Sequence, residues 1–178
     1  MQRMANVDPS TAARPTSEAT FTDLLTPLIE PGFRLALAML RDAQAAEDAV
    51  QEASFTAWRK LGRMQDRSRL RPWFLGVVAN KCRNARRQKW VAGVTLGLPE
   101  QLTVVSDEDR AMQGADVRRA VGRLRHDDRL VVVLFFYLDL PLEEVAAVAG
   151  TSVGAARARL YRSIGRLRPD LAIQEALK

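Results

Sequence analysis

Leu142-Glu-Glu-Val-Ala-Ala-Val-Ala-Gly-Thr-Ser-Val-Gly-Ala-Ala-Arg-Ala-Arg-Leu-Tyr-Arg162 decides how this chain folds. The stretch reads as two short helices joined at Gly150, the second rich in arginine and free of carboxylates. Gly150 suits the left-handed backbone that ends a helix. Thr151 or Ser152 can cap the helix that follows. Ala146 leaves room for the second helix to pack closely. This is the pattern of a helix-turn-helix, whose second helix enters the major groove of DNA. Along that helix Val153, Ala156, Leu160, Ile164 and Leu167 make the core stripe. Ala155, Ala158, Arg162 and Gly165 lie roughly opposite, flanked by Arg157, Arg159 and Arg166. Small residues let such a helix sit deep in a groove, and each arginine on a phosphate adds to the salt dependence of binding.

Helical periodicity extends outward from this motif. Leu130 to Tyr137 is β-branched enough for a strand, yet helices flank it and Asp127 or Asp128 can cap its start, so a buried helix is expected. Residues 91–112 shift to Gly, Pro, Val, Thr and acidic residues, the composition of a linker. Residues 21–90 are helical in period and dense in apolar side chains. Residues 1–20 are rich in Ala, Ser, Thr and Pro without apolar period, and disorder is expected there. The chain is therefore expected to be all-α: two small helical domains, at 21–90 and 113–172, on a flexible linker at 91–112, with tails at 1–20 and 173–178.

A net charge of +6 over 178 residues favours a polyanionic partner. The single cysteine, Cys82, excludes an internal disulfide and fits a reducing compartment. No secretory signal is visible at the N-terminus, and the longest apolar run, Leu130 to Leu138, is too short to span a bilayer. A cytoplasmic protein without membrane insertion is expected. His126 is the only histidine, so it and Cys82 offer no metal-ligand cluster and no nucleophilic dyad; no glycine-rich phosphate loop appears. Neither an enzyme nor a cofactor-binding or metal-binding protein is expected, and His126 reads as a solvated residue at a helix start.

Charge is sorted by segment. Asp42, Glu47, Asp48 and Glu52 share a helix with no Lys or Arg before Arg59. On a helical wheel Ala43, Ala46, Val50, Ala53, Ala57 and Leu61 form one face, with Asp48, Glu52 and Phe55 opposite. Like charges four residues apart slightly destabilise a helix, so local stability does not account for Asp48 and Glu52. An exposed Phe55 beside them points to a docking surface for a basic partner. The next segment inverts the sign: Arg63, Arg67, Arg69, Arg71, Lys81, Arg83, Arg86, Arg87 and Lys89 stand against Asp66 alone. In the helix that Pro72 helps to start, Phe74, Leu75, Val78, Cys82 and Ala85 form the apolar side. Gly76, Asn80, Arg83, Asn84 and Arg87 line the other. Arginines interleaved with amides bond phosphates and base edges together; Cys82 reads as packing.

The acidic helix (Asp42 to Trp58), the segment Leu70-Arg-Pro-Trp-Phe-Leu-Gly-Val-Val-Ala-Asn80 and the helix-turn-helix (Leu142 to Arg168) occur in an order that resembles bacterial extracytoplasmic-function (ECF, group 4) RNA polymerase sigma factors. The resemblance covers roughly residues 33–171. It implies a factor that lends promoter specificity to RNA polymerase, with region 2 as the first module and region 4 as the second. Glu47, Asp48, Gln51 and Glu52, with Phe55 beside them, match the surface that docks on the coiled coil of the polymerase β′ subunit; the β subunit is a further partner. The loop Gln65, Asp66, Arg67 and Ser68 matches the position that captures a flipped −10 base, and Asn80, Arg83, Asn84 and Arg87 match the DNA-facing helix. Extracting a base costs a few kcal/mol, which contacts to the released strand offset. Arg157, Ala158, Tyr161 and Arg162 match the base-facing positions at the −35 element, with Arg159 on phosphate. The linker, able to reach on the order of 70 Å when extended, threads through the polymerase in this family. An anti-sigma factor is an implied partner, and the free factor is expected to be monomeric. Pro141 stands where the family usually has a Ser cap, and Gly76 where a basic or aromatic residue is frequent. The competing reading is a stand-alone helix-turn-helix regulator that never engages polymerase; the acidic helix is the feature that discriminates between the two.

Overall fold

The computed structural model describes residues 18–64, 66–91 and 117–175. Among the described residues the chain is helical with no strand. Helix α1 spans Glu18–Leu40, α2 Ala43–Lys60 and α3 Leu70–Val91. Residues 117–123 form α4, followed by α5 at His126–Val132, α6 at Leu142–Ala149 and α7 at Val153–Glu175. Helix α1 therefore starts within the N-terminal stretch expected to be disordered. The rest of that tail and nearly all of the expected linker lie outside the described residues.

In the first module, α1, α2 and α3 pack on one another in every pairing. Arg41 turns the chain with a left-handed φ of 58°, and Asp42 caps α2 by accepting from the Ala45 amide at 3.0 Å. The cap accounts for the abrupt start of α2 directly after α1. Alanines 46, 49, 53 and 57, with Val50, make its buried face, so the neighbouring helices approach closely. Ala43, expected on that face, is exposed at the first turn, and Ala49 takes its share of the packing. Phe74 is fully buried against α1, where a Cβ on Gly32 would sit 3.0 Å from its ring. Gly32 thus makes room for the largest side chain of the core, whose loss would cost about 3–5 kcal/mol.

In the second module the apolar run is helical, as expected, but its end is irregular. After α5 the backbone continues as a π-helix over Val133–Tyr137, closed by Leu138 donating to the Val133 carbonyl at 3.0 Å. The widened turn leaves Phe136 and Tyr137 exposed while Leu130 to Leu134 stay buried. The expected cap is corrected: Arg125 occupies the N-cap without a side-chain bond, and Asp127 and Asp128 lie in the first turn. There their charges suit the positive end of the helix dipole and meet arginines from elsewhere. Gly150 adopts φ +65° and α6 ends with Thr151 donating to Ala146 and Gly150 to Ala147, a Schellman closure. Ser152 caps α7 by accepting from the Ala155 amide at 3.2 Å. Pro141 begins α6 with no side-chain cap.

The two modules are not separate bodies. Helix α6 packs along α3, and one apolar cluster runs from Leu25 through Phe74 and Leu134 to Leu167. Periodicity places residues on helix faces, but nothing in it specifies this contact between modules.

Candidate functional site

Helix α2 presents Glu47, Asp48, Gln51, Glu52 and Phe55 to solvent together, with Phe55 61% exposed. Phe55 carries the Arg59 guanidinium over its ring at 4.8 Å, a contact that steadies an aromatic side chain in water. Asp48 accepts from Gln44 at 3.3 Å, and Glu52 pairs with Lys81 of α3 at 2.8 Å. The acidic face thus ends where the basic helix begins. Trp58, 40% exposed, meets Phe21 edge-on at 4.8 Å beside this face; the charge pattern did not single it out.

The loop before α3 exposes Asp66, Arg67 and Ser68, while Gln65 lies outside the described residues. Asp66 accepts from the Ser68 amide at 3.0 Å and from its hydroxyl at 2.6 Å. Those two bonds hold the Asp66 carboxyl below the usual carboxylate range. On α3, Asn80, Arg83, Asn84 and Arg87 are all exposed, and Asn80 accepts from Arg83 at 2.6 Å. On the opposite side Phe74, Leu75, Val78 and Cys82 are buried and Ala85 is half-buried. Burial pushes the Cys82 thiol up to about 12, so it packs as a small apolar side chain.

Helix α7 buries Ala156, Leu160 and Leu167, and exposes Arg157, Ala158, Tyr161 and Arg162, with Tyr161 69% exposed. The helix also buries Ser163, which bonds back to the Arg159 carbonyl at 2.8 Å. Arg159 differs from its neighbours: it is half-buried and lies 3.6 Å from Asp127 and 3.9 Å from Asp128. Arg166 pairs with Asp128 at 2.6 Å. Asp127 also reaches Arg83 of α3 at 3.8 Å.

Two half-buried polar residues in this neighbourhood escaped the sequence reading. Arg129 donates to the carbonyls of Met39 at 3.1 Å, Val121 at 3.3 Å, Leu124 at 3.2 Å and Gly122. Burial, with Arg41 and Arg86 nearby, lowers its pKa to about 10, which leaves it charged at neutral pH. His126, expected at a solvated helix end, instead buries both ring nitrogens without a hydrogen-bond partner. Burial foremost, then the charge of Arg86, lowers its pKa to about 4, so the ring is neutral at pH 7. An arginine one residue before an apolar run looks like any surface arginine, so no local signal could have marked Arg129.

Among the described residues no group of three or more His, Cys, Asp or Glu could hold a metal, and no helix is long and apolar enough to cross a membrane. An exposed acidic helix face in one module, arginine-lined helices in both and a helix-turn-helix define a DNA-binding transcription factor of two helical modules. Residues 28–91 match the family model for sigma-70 region 2, and residues 115–167 match that for sigma-70 region 4. The ECF RNA polymerase sigma factor SigL of Mycobacterium tuberculosis is 30% identical over 149 residues, which span 80% of this chain and 82% of that protein. The probable RNA polymerase sigma factor RfaY of Xanthomonas campestris pv. campestris is 28% identical over 77% of this chain, a match that spans 36% of that protein. The sigma factor RpoE of Bartonella quintana, solved in complex with the anti-sigma factor NepR, shares the fold with a TM-score of 0.72 at 22% identity. That match covers 86% of this chain and 98% of the RpoE chain. The chain belongs to the RNA polymerase sigma factors of the extracytoplasmic-function type, and directs promoter-specific initiation of transcription.

Proposed function

We propose that the chain acts as a group 4 sigma factor in the cytoplasm, without catalysis, metal or cofactor, dividing its work between region 2 at 21–90 and region 4 at 113–172. The observation that carries this reading is the undivided acidic face of α2, with Glu47, Asp48, Gln51, Glu52 and Phe55 all exposed. A charged face with an aromatic at its centre suits a basic helical partner, because salt bridges steer the encounter while the ring supplies buried area. Glu47, Asp48, Gln51, Glu52 and Phe55 grip the β′ coiled coil of core polymerase. The loop around Asp66, Arg67 and Ser68, with Asn80, Arg83, Asn84 and Arg87, reads and opens the −10 element. Arg157, Ala158, Tyr161 and Arg162 read the −35 element, and Arg159 holds phosphate. The Bartonella relative's complex supports an anti-sigma factor as a further partner of this chain.

The test is the double change Asp48→Arg with Glu52→Arg, followed by pull-down with core polymerase and by duplex binding. Polymerase binding is expected to fall at least 100-fold, with DNA affinity of the free factor unchanged or slightly raised. Retention of polymerase by the double variant would overturn the docking assignment. Phe55→Ala is expected to weaken polymerase binding about tenfold while leaving the melting temperature in place.

A further inference from the structure

We infer that Asp128 is a positioning residue for promoter binding: it holds Arg159 of α7 ready for a DNA phosphate and keeps Arg166 as a strut that touches no DNA. The inference rests on the reading of α7 as the −35 surface with Arg159 on phosphate. Arg159 and Arg166 each directly precede a core residue of α7, Leu160 and Leu167, both buried. Seven residues fall about 20° short of two full turns, so the two arginines leave α7 along the same edge of its buried stripe. They are spaced roughly 10 Å apart along the axis. That edge meets the first turn of α5, where the Asp128 side chain is only 15% exposed. A carboxylate so far out of water is costly unless it is paired, and α7 supplies both partners.

The distances give the two arginines different tasks. Oδ2 of Asp128 accepts from Arg166 Nη1 at 2.6 Å, a charge-assisted hydrogen bond that spends the Arg166 donor on the protein itself. Oδ1 lies 3.9 Å from Arg159 Nε, and Asp127 lies 3.6 Å from Arg159 Nη1. Both separations are beyond hydrogen-bond range. The carboxylates therefore draw the Arg159 guanidinium to one place without consuming the donors that a phosphate needs. Asp127 is the more exposed of the two acids, so its pull is screened more strongly by salt than that of Asp128. Ordering a long side chain at the moment of binding weakens association by about 3- to 10-fold, a loss that a prearranged Arg159 avoids. Long-range electrostatics work in the other direction, because a carboxylate in a DNA-binding module repels phosphates. Neutralising Asp128 thus tightens DNA binding if only its charge matters, and weakens it if Asp128 positions Arg159.

The test uses the full chain and a mixed-sequence 30-base-pair duplex, with affinity read over a series of salt concentrations. Asp128→Asn and Asp128→Ser are expected to weaken binding about 3- to 10-fold, although each removes a negative charge. In an Arg159→Ala background the same changes are expected to alter affinity by less than about twofold. A general loss of stability would not produce that coupling. Arg166→Gln is expected to keep the wild-type salt slope, whereas Arg159→Ala lowers it by about one. Unchanged or tighter binding by the Asp128 variants, an equal loss with and without Arg159, or a salt slope lowered by Arg166→Gln overturns the inference. Either Asp128 variant suffices if it folds; loss of the native circular dichroism spectrum in both would make the carboxylate a folding residue and overturn the inference as well. Failure of the underlying reading shows differently: Arg159→Ala alone would then leave both affinity and salt slope as in wild type.

Discussion

Arg129 donates from Nη1 to the Met39 carbonyl at 3.1 Å, joining α5 to the C-terminal end of α1 across 90 positions of sequence. The same guanidinium serves the carbonyls of Val121 and Gly122 in the last turn of α4 and of Leu124 just after it. A planar fork of five donors suits this task, where a single ammonium does not.

Replacing Arg129 by Met is therefore expected to destabilise the protein by about 2–4 kcal/mol, because several main-chain carbonyls lose their donor out of reach of water. Arg129→Lys should recover less than half of that loss. Thermal and urea unfolding of the full chain check both values; a change below about 0.5 kcal/mol would show that water replaces the guanidinium at no cost.

His126 supplies a pH dependence. Burial and the charge of Arg86, followed by Arg83 and Arg129, oppose protonation, and Asp127 alone favours it. The folded pKa of about 4 lies below the ordinary 6.5. A histidine lowered on folding binds fewer protons in the native state, so its stabilising share is whole above pH 6.5 and is lost as pH falls toward 4. Between pH 7 and 5 the loss is on the order of 1 kcal/mol after discounting for solvent screening at this half-buried site. Melting temperatures of wild type and His126→Phe at the two pH values isolate it: the wild type should drop further on acidification than the variant. Equal drops would place the imidazole in water.

The arginines of α7 are expected to separate by their surroundings. Arg162 is exposed, whereas Arg159 is half-buried between Asp127 and Asp128. Arg162→Ala should weaken promoter binding by the holoenzyme by about 1–3 kcal/mol and relax base preference at one position of the −35 element. Arg159→Ala should weaken all sequences alike and lower the salt slope by about one. Competition binding on a promoter library at several salt concentrations checks this, and the reverse assignment of the two residues would refute it.

Much of the interface chemistry was legible in the chain because local rules govern it. The acidic, exposed face of α2 follows from the 3.6-residue period and the placement of Glu47, Asp48, Gln51 and Glu52. The left-handed Gly150, the Ser152 cap and the core stripe of α7 follow from residue types at single positions. Asp127 and Asp128 were misread because a sequence shows that a carboxylate lies at a helix start, but not whether it meets its own backbone or an arginine from another helix.

By itself, then, the sequence determined the helices, their buried and exposed sides, and the sorting of negative charge onto α2 and positive charge onto α3 and α7. These depend on the periodicity of side chains and on backbone preferences within a few residues. Only the tertiary structure decided that α6 lies on α3 at Gly76, that Arg129 is half-buried among main-chain carbonyls, that the ring nitrogens of His126 are buried, and that Asp127 stands between Arg83 and Arg159. Those relationships join residues tens of positions apart, and they arise when two apolar surfaces find each other and carry the nearby polar groups out of water.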